Sequence, residues 1–292
     1  MRIILLLTAV FIVAATSYGI LDFANDPYSQ KLQAQAEKGD ANSEFILGLK
    51  YLNSAQETLS KPESRPKAIP GLRDYDLASE NLKIAAGWFH TAAEQGLPDA
   101  QFYLGYSYDE GVGVTKNLSE AVRWYQLAAA QGNLSAINNL GVMYRDGTIV
   151  RQDYDKAVKL FQQAAASGID AAEYNLADAY FKVIGVKQDY KKALSWYLKS
   201  AEQGYTAAEI MLSQMYQEGQ GTSNHLKSYI QAYKWVNIAC TIKPSQDLYT
   251  RRNSLVSMMS QEQIIDAQRQ SKVWLEIHIK GNGNNVTATK EE

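Results

Sequence analysis

Gly111 and Gly113 in DEGVGVTKN stand ahead of an apolar-periodic stretch, as the glycines of a phosphate-cradling loop do. A dinucleotide site also needs a strand before them, a third glycine in register and an acid about 20 residues further on. The preceding AQFYLGYSYDE instead spaces its apolar residues as a helix does. Ser64 and Lys67 in SRPK match the S-x-x-K of penicillin-interacting enzymes, but they lie among prolines, and no S-D-N or K-T-G accompanies them. The three histidines, His90, His225 and His278, are isolated along the chain and give no metal-ligand spacing such as H-x-x-x-H. Asp109 and Glu110 abut a turn, where solvation rather than acid–base pairing is expected. A non-enzymatic protein with no metal and no cofactor is expected.

The elements that would position these residues settle the question of the glycines. The same block returns every 36 residues: AEQG at 93–96, AAQG at 129–132, AASG at 165–168 and AEQG at 201–204. Nine residues after each of those glycines comes a small residue, Gly105, Gly141, Ala177 or Ser213, and three further on Tyr108, Tyr144, Tyr180 or Tyr216. A second set of columns aligns Ala85, Ala121, Ala157, Ala193 and Ala232, and beside it Trp88, Trp124, Leu160, Trp196 and Trp235. A partial earlier copy supplies Gly39, Gly48 and Tyr51. A phosphate loop is needed once, whereas similar turns recur at Gly147, Gly185 and Gly219/Gly221. The pair is therefore a turn.

Units of this size cannot bury their own apolar faces and do so by stacking into a solenoid. Ala100, Leu104 and Tyr108 share one face of a first helix; Ala121, Trp124, Tyr125, Ala128 and Ala129 share a face of a second. Asn117, Asp153 and Asp189 stand where helix N-caps belong, and Gly96, Gly132, Gly168 and Gly204 where a helix ends in left-handed backbone. Each unit is predicted to be an antiparallel helix pair. Cys240, the one cysteine, falls in the column of Ala93, Ala129, Ala165 and Ala201, so it reads as a small buried hydrophobe.

The pattern A-x-x-x-L-G-x-x-Y-x-x-G-x-G-V followed by A-x-x-W-Y-x-x-A-A-x-Q-G resembles the Sel1-like repeat of bacterial exported proteins, a relative of the tetratricopeptide repeat, over roughly residues 34–240. Ala177 and Ser213 depart from its glycine, Leu160 from its tryptophan, and the FKVIGVKQD turn has lost a glycine. The resemblance implies an all-α, α/α solenoid: a right-handed superhelix of about five repeats plus C-terminal capping helices, serving as a scaffold or adaptor. Some exported relatives carry a disulfide in each repeat; a chain with one cysteine must rely on packing. In such arrays the first helix of each pair lines a concave groove. Its inward positions here are Phe45 and Leu49; Phe102, Tyr106 and Asp109; Asn138, Val142 and Arg145; Tyr174, Asp178 and Phe181; and Ile210, Gln214 and Gln217. A protein or peptide partner is expected on Phe102, Tyr106, Asn138, Arg145, Tyr174, Asp178 and Phe181.

With 292 residues, 46% of them apolar, the chain can bury one long core, and its net charge of −2 implies neither nucleic acid nor an anionic membrane as partner. Residues 1–19, MRIILLLTAVFIVAATSYG, read as a signal peptide cleaved near Ser17 or Gly19. The uncharged run continues through Leu21, which leaves an N-terminal membrane anchor as the alternative to a periplasmic or secreted monomer. The repeat array is placed at 20–240, with a proline-rich insertion at 52–80 that holds Pro62, Pro66 and Pro70 and is expected as an exposed, non-helical excursion. Residues 241–280 are placed as capping helices, with a Ser260–Gln263 capping box and Ile264, Ala267, Ser271 and Trp274 on one face; 281–292 are expected as a disordered tail. An envelope adaptor, an immunity protein or inhibitor neutralising an effector, and a cell-wall enzyme or its regulator are the functional classes this reading leaves, the adaptor first.

Overall fold

The computed structural model describes residues 27–60, 74–223 and 228–285. The signal segment 1–19, Ser64, Lys67 and His225 lie outside them. The described residues form thirteen α-helices and no strand. These are α1 (Pro27–Ala36), α2 (Ala41–Ser60), α3 (Asp74–Glu94), α4 (Pro98–Glu110), α5 (Leu118–Ala130), α6 (Leu134–Asp146) and α7 (Tyr154–Ala166). They continue with α8 (Asp170–Lys182), α9 (Tyr190–Glu202), α10 (Thr206–Glu218), α11 (Tyr229–Ile242), α12 (Gln246–Val256) and α13 (Gln261–Asn285).

The local signals act where they were expected. The Asn117 side chain accepts from the backbone N–H of Ser119 and Glu120 at 3.1 and 3.2 Å, and Asp153 and Asp189 accept from Lys156 and Lys192 at 2.9 and 3.0 Å. Each contact satisfies a backbone donor that a helix start leaves open. Helix α5 ends with Gly132 at φ +88°, where the Gly132 and Asn133 N–H groups turn back onto Ala129 and Ala128. The Ser260 and Gln263 side chains bond reciprocally to each other's backbone N–H, a complete capping box at the start of α13.

The two exceptions to the period differ from expectation at their edges. Residues 52–60 and 74–80, inside the expected non-helical excursion, are helical, because α2 and α3 lengthen to 20 and 21 residues against 13 in the regular helices. The three prolines fall between them, at positions outside the described residues. Helix α13 continues to Asn285, past the expected start of the tail at 281.

The chain divides into two compact units, residues 1–140 and 141–292. In the first, α1 to α5 pack each on the next, and Leu47, Ile84, Phe89, Leu104 and Trp124 form the core. In the second, α7 to α11 pack likewise, and α11 also receives α12 and α13. Tyr197, Leu212, Met215, Trp235, Ile238 and Trp274 are its centre, with a smaller cluster that includes Val236, Cys240 and Leu255.

Close approach explains the small column. A Cβ at Gly48 would lie 2.5 Å from the Phe89 ring, at Gly105 2.7 Å from the Tyr125 ring and at Gly141 2.6 Å from the Phe161 ring. The aromatic beside the tryptophan column thus fills the space that glycine leaves. The recurring turn glycines have a different reason. A Cβ on Gly113 would meet the Leu82 carbonyl oxygen at 2.1 Å, and one on Gly185 the Tyr154 carbonyl at 2.6 Å. The Gly-x-Gly turn seats its repeat on the preceding second helix.

Candidate functional site

Within the first unit, the α4 residues gather around Tyr125 of α5, which is fully buried. Its hydroxyl donates to Asp109 at 3.3 Å and accepts from Asn139 at 3.0 Å. Burial pushes the phenol's pKa up, and burial first, then the neighbouring Glu110, raises that of the Asp109 carboxyl. Phe102 lies against the Tyr125 ring at 5.9 Å and edge-on to Tyr103 at 5.3 Å. Tyr106 is 40% exposed, whereas Asn138 is only 6% exposed and donates to Asn139 at 3.3 Å.

In the second unit, the equivalent centre is Tyr197 of α9, also fully buried. It donates to Asp178 of α8 at 3.2 Å, and Lys182 reaches the same oxygen at 2.9 Å. Asp178 is therefore 5% exposed and engaged on two sides. Tyr174 sits between the rings of Tyr197 and Tyr205, at 5.5 and 5.2 Å, and Phe181 is edge-on to Tyr190 at 5.4 Å. Arg145 clamps Asp146 with two nitrogens, at 2.7 and 3.2 Å, and donates to Asn175 at 3.2 Å. The Asp146 hydrogen bond holds the Arg145 guanidinium above its ordinary pKa, with Asp178 and Tyr174 close enough to add to it. The structure thus brings Arg145, Tyr174, Asp178 and Phe181 together, and separately Phe102 with Asp109 around Tyr125.

One regularity escaped the residue-by-residue reading. Where the aromatic column holds tyrosine, at Tyr125 and Tyr197, the first helix offers an aspartate to the hydroxyl. Where it holds phenylalanine, the matching positions are Leu49 and Leu52 beside Phe89, and Val142 and Arg145 in the repeat of Phe161. The inward aspartates serve buried phenols, which would otherwise lack an acceptor. On these two strips of first-helix side chains the aspartates are thus engaged within the fold.

No group of three or more His, Cys, Asp or Glu side chains converges on a metal-sized site among the described residues. None of the described helices is long and apolar enough to cross a membrane. Cys240 is buried, and burial raises its thiol's pKa, so it lacks the thiolate character of a reactive cysteine.

Five consecutive segments, residues 73–97, 98–133, 134–169, 170–205 and 206–241, match the family model described as the Sel1 repeat. The chain belongs to the Sel1 repeat family. Its fold is accordingly a Sel1 solenoid of about five repeats with flanking helices, and Sel1 repeat proteins are protein-interaction scaffolds. The chain is similar to the crystal structure of a protective antigen of uropathogenic Escherichia coli that displays an SLR fold, at 28% identity and a TM-score of 0.65. That match covers 92% of this chain and 60% of the antigen, so the chain spans less than two thirds of that relative's length. A Sel1 repeat protein from Oxalobacter formigenes shares the fold at 23% identity and a TM-score of 0.62, over 95% of this chain and 99% of the other. Among curated proteins, no match was found.

Proposed function

We propose that this Sel1 repeat protein is a non-enzymatic, exported scaffold that holds a protein or peptide partner against the first helices of its repeats. The observation that carries the reading is Tyr106: a large aromatic side chain 40% exposed on a first helix. In the first unit Tyr106 and Phe102 would supply aromatic surface. In the second, Tyr174, Phe181 and Arg145 would do so, with the guanidinium able to hydrogen-bond a partner's carbonyl or carboxylate. Asn138 and Asp178 are buried and act by holding their neighbours. Aromatic and arginine side chains are the ones interfaces use most for binding energy. Export rests on the apolar N-terminal run behind Arg2.

Affinity capture from the native host with wild-type bait, compared with a Tyr106→Ala, Tyr174→Ala double variant, tests this. Binding of the captured partner should weaken at least about tenfold, equivalent to 1.4 kcal/mol. A folded double variant that binds as wild type does would remove the strips as the site. The captured partner's identity separates an adaptor from an inhibitor of an effector. N-terminal sequencing should find the mature chain starting near residue 18 or 20; a start at Met1 in the membrane fraction establishes the anchor instead.

A further inference from the structure

Each regular repeat passes from its first helix to its second through a turn with two glycine columns, Gly111, Gly147 and Gly219 in one and Gly113, Gly185 and Gly221 in the other. Each column has one large aliphatic in place of glycine: Val183 in the first, Ile149 in the second. Val183 keeps the backbone of its glycine equivalents, φ +65° against +74°, +67° and +73°, which strains a β-branched residue. Its side chain gives the fold little in return, being 56% exposed, and Ile149 is 48% exposed. The two turns belong to consecutive repeats of the second unit.

The turns meet at Tyr154. A Cβ on Gly185 would lie 2.6 Å from the Tyr154 carbonyl oxygen and 3.1 Å from its Cβ, so the second turn rests on the residue that directly follows the first. Tyr154 is itself 43% exposed. The same turns carry Arg151 and Lys187 in one column, where the first unit's turn has Thr115, and Lys191 follows one helical turn on. All three cations are exposed, and among the described residues none of them pairs with a carboxylate. The carboxylates of these turns are mostly committed: Asp146 to Arg145, and Asp153 and Asp189 to the caps of α7 and α9, which leaves Asp155. The charge of −2 belongs to the whole chain, whereas this edge holds a local excess of cations.

We infer that this edge, turns 147–153 and 183–189 with Tyr154 between them, is a peripheral docking surface for an anionic lipid membrane. Aliphatic side chains at the tips of turns enter the boundary between headgroups and acyl chains, and tyrosine sits at that level. Lysine and arginine beside them meet the anionic headgroups. Peptide recognition uses a groove or a sheet edge, and the tips of turns offer neither. A strained, exposed Val183 gains its use when a bilayer buries it. The surface shares no residue with the first-helix strips, so it succeeds or fails independently of them.

The test measures co-sedimentation of the mature chain, from residue 20 onward, with vesicles of phosphatidylcholine alone or with one third phosphatidylglycerol. The wild type should bind the anionic vesicles at least tenfold more strongly than the neutral ones, and added salt should weaken that binding. Ile149→Ser with Val183→Gly should lower binding at least fivefold in a protein that stays folded, since glycine relieves the strain at 183. Arg151→Gln with Lys187→Gln should lower it as much. Lys243→Gln with Lys272→Gln makes the same change of net charge elsewhere and should bind as the wild type does. A wild type that ignores anionic vesicles, or binds neutral ones equally, overturns the inference. So does an aliphatic double variant that binds normally, or a Lys243, Lys272 pair that loses as much as the Arg151, Lys187 pair. A photo-crosslinker at position 187 that captures one acidic protein in the native host, with no vesicle binding by the purified chain, would replace the membrane by a protein.

Discussion

The Tyr197 hydroxyl donates to Asp178 at 3.2 Å, and the Tyr125 hydroxyl donates to Asp109 at 3.3 Å, from a position one helical turn further along the first helix. Two repeats have thus met one need, an acceptor for a buried phenol, from adjacent turns. The need is set by the column: a fully buried hydroxyl without a partner costs about 1–3 kcal/mol.

Asp178→Val should therefore destabilise the protein by about 1–3 kcal/mol in urea melts, since Tyr197 keeps a hydroxyl with nowhere to donate. Lys182 is largely exposed, and its lost ion pair should add little. Adding Tyr197→Phe, which reproduces the Val142 and Phe161 combination, should recover most of the loss. A double variant no more stable than Asp178→Val alone would show that the carboxylate acts otherwise than through the phenol.

The tryptophan column does not bury its members equally. Trp124 is buried, and Trp124→Ala should cost about 3–5 kcal/mol. Leu160, which takes the tryptophan position in its repeat, is half-buried, so Leu160→Ala should cost only about 1 kcal/mol, a fraction of a full leucine burial. Phe161 beside it is fully buried against Gly141, and Phe161→Ala should cost about 3–5 kcal/mol. Denaturant midpoints that rank Leu160→Ala above Phe161→Ala in cost would mean that the faces of α7 are assigned wrongly.

Val183 sits at φ +65°, in the place where Gly111 and Gly219 end the equivalent helices at +74° and +73°. A β-branched residue there is strained by its own Cβ. Val183 is exposed, so replacing it removes little packing. Val183→Gly should raise stability by about 1 kcal/mol, the relief of strain exceeding the entropy that glycine adds to the unfolded chain. A thermal midpoint that falls instead would show that the Val183 side chain contributes contacts worth more than the strain.

Most of this fold is legible in the sequence because repetition tests every assignment several times over. Asn117, Asp153 and Asp189 predict one cap at three places, and Gly105 with Gly141 predicts one close approach at two. What repeats poorly is legible poorly. The reach of α2 and α3 into the proline-rich stretch has no second copy to compare. Asp178 reads from its register as a partner-binding charge, since sequence position fixes which way a side chain points but not whether a neighbour has already claimed it. The signal that it serves Tyr197 lay in comparing two columns at once: aspartate accompanies tyrosine and never phenylalanine.

Glu209 shows what happens when one such pairing fails. Four positions before the small column stand Glu44, Gln101, Glu173 and Glu209, and the first three each accept from a glutamine near the end of their own second helix. Those donors, Gln95, Gln131 and Gln203, give way in the last repeat to Ile242. Glu209 is 0% exposed, and neither carboxylate oxygen has a hydrogen-bond partner. Burial alone pushes its pKa from 4.5 up to about 7. The folded protein thus holds this proton more tightly than the unfolded chain does. Its contribution to stability is full below about pH 4.5 and is lost as pH rises through about 7, a span worth at most about 3 kcal/mol. Glu209→Gln removes the titration and supplies a donor, as Gln101 donates to the Ala93 carbonyl at 3.3 Å. The variant should therefore match the wild type at pH 5 to within about 1 kcal/mol, and exceed it by about 2 kcal/mol at pH 8, in urea melts across that range. A difference that stays flat from pH 5 to pH 8 would mean that the carboxyl keeps its ordinary pKa, through a water or a neighbour that relieves its burial.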